Sequence, residues 1–173
     1  MKFKETILFL LLGFTVSGCT GDYRGKVVDA ETDKPVEGAV VLVEWVAVKG
    51  MPGMTHSESV KVIETVTDKK GNFIIAGASD DTPHVTVYKK GYVAWNSKYI
   101  FPDYKKRTDF KWKSGHVYRL KRFGKGYSYI DHESYITSSI NVSLGAEKKQ
   151  NFLKKYRSAE ENLVIEERNL KNK

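Results

Sequence analysis

The chain has 173 residues, enough for one domain with a small appendage and for a core that buries roughly 70% of the unfolded surface. Apolar residues make up 40% and charged residues 29%, which excludes wholesale disorder, and 14 Gly with only 4 Pro excludes collagen-like and proline-rich classes. A single cysteine excludes an intramolecular disulfide and a cysteine-based zinc cluster.

The N-terminus reads as a targeting segment. Lys2 and Lys4 form a basic start, and Ile7 to Val16 form a short apolar run. Ten residues of helix span about 15 Å, half of the roughly 30 Å bilayer core, so the run is too short for a transmembrane helix. It ends in Ser17-Gly18 and the sole cysteine, Cys19. Val16-Ser17-Gly18-Cys19 resembles the bacterial lipobox, with Val16 where Leu is usual. The resemblance implies a signal peptide over 1–18, a covalent lipid on Cys19, and a lipidated tether over 19–22. Two or more acyl chains give stable anchoring, at about 0.8 kcal/mol per buried CH₂. Thr20 rather than Asp after the cysteine implies sorting to the outer membrane of a Gram-negative bacterium. A plain secretory peptide with an incidental cysteine is the simpler alternative.

The 29 basic and 21 acidic residues give a formal charge of +8. Cleavage after residue 18 removes Lys2, Lys4 and Glu5, leaving a surplus of +7. The segment 103–125 alone carries that surplus, with nine basic residues against Asp103 and Asp109. Lys105, Lys106, Arg107, Lys111, Lys113, Arg119, Lys121 and Arg122 are its candidate contact residues for an anionic partner. They interleave with Tyr104, Phe110, Trp112, Tyr118 and Phe123. Cations and planar rings together suit anionic polymers, nucleic acid or sugar rings, and outside the cytoplasm lipid headgroups, lipopolysaccharide or a peptide partner are the better fit. The plainer alternative is a solvated strand and loop whose aromatics fill the core.

In chain order, alternation and β-branched runs predict strands over 23–29, 36–48, 59–67, 73–76, 84–89, 95–101 and 116–121. Glu31 to Pro35, Asp68 to Asn72 and Asp80 to Pro83 are turn chemistry, and Lys49–Glu58 reads as a long loop. Val41, Val43, Trp45, Phe73, Ile75, Val85 and Val87 are the expected core. Seven short strands with frequent turns predict a β-sandwich. Beyond Gly124, helical period appears over Ala146 to Asn172, starting near Ser143 or Gly145. Phe152, Tyr156, Ala159, Leu163 and Leu170 form its apolar stripe, with Glu160, Glu161 and Glu167 on other faces. His132 to Ile140 is a weaker helix candidate.

Gly25-x-Val27-x-Asp29-x-x-Thr32-x-x-Pro35-Val36-x-Gly38-Ala39-x-Val41 resembles the opening of the carboxypeptidase regulatory-like domain, as do Thr67 to Phe73 and Val85 to Tyr92. That family implies a mainly β fold: a seven-stranded Greek-key sandwich of transthyretin type over 23–123, here followed by a C-terminal helical extension over 124–173. It also implies a non-catalytic module.

The residues agree on chemistry. His56, His84, His116 and His132 show no metal-ligand spacing, and no phosphate loop or nucleophile motif is present. His84 and His116 both open expected strands, so they are candidates for proximity. Tyr23-Arg24-Gly25 echoes the terminal motif of transthyretin-type hydroxyisourate hydrolases, but stands at the wrong end of the domain, with Lys26 in place of Ser. The expectation is therefore a lipid-anchored envelope module with no enzymatic activity and no cofactor beyond the lipid. Its expected partners are the membrane and an anionic lipid, lipopolysaccharide or envelope protein, not nucleic acid. The alternatives are a small transthyretin-type hydrolase, discriminated by a pocket with converging His, Arg and carboxylate groups, and an accessory subunit of a larger envelope complex.

Overall fold

The computed structural model describes residues 21–140 and 150–171, the side chains within 150–159 and at 171 excepted. The expected signal peptide, Cys19, Thr20 and the helix start at Ser143 or Gly145 lie outside the described residues, as do the side chains of Phe152, Tyr156 and Ala159.

Alternation along Tyr23–Asp29 makes the first strand, β1, with Tyr23 and Val27 inward and Arg24 and Lys26 in solvent. Asp29 closes it. Its carboxylate accepts the backbone N–H groups of Glu31 and Thr32, both at 3.0 Å, and turns the chain. The apolar run that follows becomes β2 (Val40–Met51), which pairs with β3 (Met54–Val66). Gly71 tightens the next turn. Its φ is +75°, and its nearest neighbour is Val27 O, so a side chain has no room there. Next come β4 (Asn72–Ile75), β5 (His84–Tyr88), β6 (Trp95–Asn96), β7 (Tyr99–Ile100), β8 (Lys105–Lys106) and β9 (His116–Leu120). The helices are α1 (Tyr129–Ser139) and α2 (Gln150–Lys171).

The strands form a three-stranded sheet, order β4-β1-β9, and a four-stranded sheet, order β3-β2-β5-β6. β1 and β9 run parallel; the other pairs are antiparallel. A separate two-stranded ribbon joins β7 and β8. The expected strand over 95–101 is thus divided between a sheet and a ribbon, and β8 is an addition.

The two sheets face each other across one core. Val27, Phe73, Ile75, Tyr118 and Leu120 come from one side, and Val41, Val43, Trp45, Val85, Val87 and Trp95 from the other. All seven expected core residues are buried there. A second cluster lies on the opposite face of β2 and β5, where Val40, Leu42 and Tyr88 pack with Phe101 and with Tyr135, Ile136 and Ile140 at α1. β2 is therefore covered on both faces, which is why its sequence is a continuous apolar run rather than an alternation.

One expectation is corrected. Lys49–Glu58 is not a long loop: β2 and β3 stay paired out to Met51 and Met54, leaving Pro52-Gly53 as the turn. A register shift between Trp45 and Val46 marks where this ribbon leaves the sheet, and a 2.7 Å Lys49–Glu58 ion pair spans its arms. A two-residue turn with positive φ at Gly53 (+88°) permits a hairpin that composition alone reads as a breaker.

The strand directions define the two ends of the sandwich. β1 ends, β2 starts, β3 ends and β4 starts at one end, as the pairs Val40–Val66 and Lys26–Asn72 require. Tyr23, the β2–β3 turn, the 76–83 loop and the start of β9 lie at the other.

Candidate functional site

The basic segment does not form one continuous face. Its three arginines are engaged within the protein. Arg107 Nε donates to Asn96 O at 2.7 Å, its Nη1 meets Asp109 at 3.1 Å, and its guanidinium lies 4.4 Å from the Trp95 ring centre. Arg119 is ion-paired with Asp33. Arg122 Nε donates to Asp29 Oδ2 at 2.8 Å and stands 3.9 Å from Glu31. The lysines differ. Lys105, Lys106, Lys111, Lys113 and Lys121 are exposed and meet no carboxylate among the described residues.

Register separates these lysines. β9 opens with His116 opposite Gly25 and closes with Leu120 opposite Asp29, so Lys111 and Lys113 sit by the start of β1, while Lys121 and Arg122 sit by its end. Lys105 and Lys106 lie on the lateral β7–β8 ribbon. The expected alternation holds at 110–113 without a strand: Phe110 and Trp112 pack on the core, and Lys111 and Lys113 face solvent. Trp112 fixes this geometry. Its ring stacks on Tyr23 with centres 3.6 Å apart, it meets Trp45 edge-on at 5.9 Å, and its Nε1 donates to Ser79 O at 3.0 Å.

A cleft of about 400 Å³ opens at the sandwich edge, lined by Trp95, Phe101, Arg107, Asp109, His116 and Arg119 among others. It gathers an imidazole, two guanidinium groups and a carboxylate. Arg107 and Asp109 are spent on each other, and the His116 ring makes no hydrogen bond to a carboxylate among the described residues. Trp95, Phe110 and Tyr118 surround that ring instead. Burial holds His116 below its ordinary value; Asp109 pulls the other way, and Arg107 adds to the lowering. A neutral imidazole without an orienting acid is a ring to pack against rather than half of a proton-transfer pair.

The His–acid pair that does exist is elsewhere, and the sequence reading missed it. His132 Nδ1 lies 3.1 Å from Glu160 Oε2, and Tyr88 Oη donates to Glu160 Oε1 at 3.0 Å. Ala94 N–H donates to His132 Nε2 at 2.9 Å. That bond makes Nε2 the acceptor, so the ring is neutral with its proton on Nδ1, directed at Glu160. The free nitrogen that base catalysis needs is capped by backbone, and both side chains are sealed from solvent. This is a polar clasp between α2, α1 and the sheet.

The clasp adds Glu160 and Glu167 to the packed side of α2; of the expected stripe, Leu163 is half-buried, and the side chains of Phe152, Tyr156 and Ala159 lie outside the described residues. Glu160 and Val164 are buried, and Glu167 Oε2 accepts Tyr129 N–H at 2.6 Å at the start of α1, whereas Leu170 is exposed. Helix α1 presents a histidine and unpaired N–H groups, so the side of α2 that meets it carries carboxylates. Glu160, Val164 and Glu167 at i, i+4 and i+7 were the legible signal.

Asp29, part of the motif read from sequence, is a structural hub. Burial opposes its ionisation, but the N–H groups of Glu31 and Thr32 and the Tyr92 hydroxyl outweigh it and hold the carboxyl at about 2. His84 and His116 belong to different sheets. Among the described residues no cluster of three or more His, Cys, Asp or Glu could hold a metal ion, and no helix is long and apolar enough to cross a membrane.

No protein-family model matches the chain, and no curated protein matches it. Among solved structures, the shaft pilin SpaA from Lactobacillus rhamnosus GG is similar at 20% identity over 60% of this chain and 46% of that one, with a TM-score of 0.38. The C-terminal domain of the same pilin is similar at 20% identity over 59% of this chain and 97% of that one, with a TM-score of 0.35. A 9R-lipoxygenase from Cyanothece PCC8801 is similar at 16% identity over 80% of this chain and 24% of that one, with a TM-score of 0.30. Likeness at this level carries neither activity nor partners. The match spans less than half the length of that pilin chain.

Proposed function

We propose that this chain is an exported, lipid-anchored, non-catalytic β-sandwich module of the cell envelope, held at the outer membrane of a Gram-negative bacterium with its N-terminal end toward an anionic surface. The observation that carries the reading is the position of Lys111 and Lys113. They flank Trp112, which stacks on Tyr23, and Tyr23 stands four residues after Cys19. Two exposed cations therefore lie where a tether from an acylated Cys19 meets the sandwich. Charges act over about 8 Å at physiological salt, so the anchor, by holding these lysines beside a surface, strengthens a contact that is weak and confined to low salt without it. Asp80 and Asp81 on the 76–83 loop at the same end offset part of the attraction, so the contact is weak and salt-sensitive. Lys121, Arg119 and Arg122, at the far end, are not part of it.

The test uses the full chain. Cys19→Ser abolishes acylation and moves the protein from the membrane to the soluble or unprocessed fraction; unchanged fractionation, or an unmodified mature N-terminus by mass spectrometry, overturns the anchor. The Lys111→Glu/Lys113→Glu pair lowers binding of the Cys19→Ser chain to phosphatidylglycerol vesicles severalfold at low salt, with little effect at high salt. Equal binding by the reversed pair makes these lysines a solvated face.

A second reading, a small hydrolase, is favoured only by the gathering of His116, Arg107 and Asp109 in one cleft. Turnover of a cyclic amide or ester that His116→Ala abolishes would establish it over the first.

A further inference from the structure

We infer that the β2–β3 ribbon is a second membrane contact, whose apolar tip enters the lipid interface beside the acylated N-terminus. Met51 and Met54 at this tip are 72% and 77% exposed, more than any other large apolar side chain among the described residues. With Pro52 they form an uncovered apolar knob. No charged residue occurs from Gly50 to Thr55, and the first charges behind the tip, Lys49 and Glu58, neutralise each other. Apolar side chains concentrated on a protruding turn mark a contact surface, and flexible methionines suit an irregular partner.

Chain geometry selects lipid as the occupant. The ribbon and Tyr23 leave the same end of the sandwich. Trp112 joins Tyr23 to the root of the ribbon, stacked on Tyr23 and edge-on to Trp45, the last buried residue of β2 before the ribbon leaves the sheet. From Cys19 to Tyr23 there are four Cα steps, a reach of at most about 14 Å. From Trp45 to Met51 there are six, which in a strand span about 20 Å. With Cys19 at the bilayer surface and this end facing down, the ribbon outreaches the tether by about 6 Å. Interfacial apolar groups sit about 5–10 Å deep. The tether is thus short enough to bring the tip into the headgroup boundary, and the Lys49–Glu58 pair stays above it. The inference rests on the lipid anchor proposed above, but it is independent of the lysine contact, because apolar insertion needs no anionic lipid.

The experiment uses the full mature chain with Met54→Cys. In the acylated protein the Cys19 sulfur is blocked, so an environment-sensitive thiol dye labels position 54 alone; mass spectrometry verifies both groups. A Val66→Cys chain, labelled at the opposite end of β3, is the control. In neutral phosphatidylcholine vesicles the dye at 54 shifts to the blue, is quenched by lipids spin-labelled near the headgroup, and loses at least tenfold of its quenching by aqueous iodide. The dye at 66 stays in water. Equal iodide quenching at 54 and 66 in acylated protein overturns the inference. So does a blue shift that follows protein concentration without lipid, which assigns the tip to a second copy of the chain. If mass spectrometry finds Cys19 unmodified, the anchor reading fails. The Cys19→Ser/Met54→Cys chain with excess vesicles then decides the tip separately: a blue shift keeps the lipid contact, and its absence removes it.

Discussion

His132 on α1 and Glu160 on α2 face each other at 3.1 Å, 28 residues apart, with neither in contact with solvent. Tyr88 from β5 and the Ala94 amide complete their bonding, so one buried cluster ties both helices to the sheet. Removing one partner strands the other in a dry site. His132→Phe is expected to cost about 3 kcal/mol in urea unfolding, and Glu160→Leu a similar amount. The double variant costs clearly less than the sum, because neither side chain is then left facing a missing partner, although the Ala94 N–H still loses its acceptor. Additive losses would show that the two side chains act separately.

The hydroxyls of Tyr23 on β1 and Tyr118 on β9 share a 2.8 Å hydrogen bond inside the core. Burial raises the pKa of both, so neither gains charge in the physiological range. Each single change to Phe is expected to cost about 1–2 kcal/mol, and the double change less than their sum. A double-mutant cycle by chemical denaturation reads the coupling, and a coupling of zero would remove the bond from the account of the core.

Acid should weaken the fold in two windows. His84 is held at about 4 against an ordinary 6.5, first by burial and then by the charge of Lys98, and its buried Nδ1 has no hydrogen-bond partner among the described residues. The folded state therefore binds fewer protons at this site than the unfolded chain, and stability falls as pH drops from about 6.5 to about 4. Asp29, at about 2 against 3.8, adds a second loss between those values. Melting temperatures measured from pH 7 to pH 2 follow this course. His84→Phe flattens the first window and leaves the second; an unchanged first window would refute the assignment to His84.

Gly71→Ala is expected to cost about 3 kcal/mol. Its φ of +75° disfavours a side chain, and the added methyl would stand 2.4 Å from Val27 O, a backbone atom that cannot move without breaking β1. A change below about 0.5 kcal/mol in thermal or urea unfolding, the range of ordinary surface substitutions, would mean that the turn relaxes.

The basic segment is a lesson in what linear charge leaves open. Nine cations between 103 and 125 are visible in the sequence, but whether they meet depends on which carboxylates other strands bring to them. Asp33 and Asp29, more than 80 residues away, reach Arg119 and Arg122 across the sheet. A strand then carries Lys121 to the opposite end from Lys113.

Local chemistry determined much of the rest. Alternation at 23–29 and 116–120, the β-branched run of β2 and the turn at Asp68–Asn72 placed the strands and all seven expected core side chains, because period and burial are written in neighbouring residues. The Met51–Met54 hairpin, the face of α2 and the His132–Glu160 clasp were decided only by tertiary structure. Each depends on a partner distant in sequence: a second ribbon arm to pair with, a helix that presents a histidine, a backbone amide at Ala94 that fixes a tautomer. A glutamate in a helix reads as solvated until the fold supplies the donors that make burying it favourable.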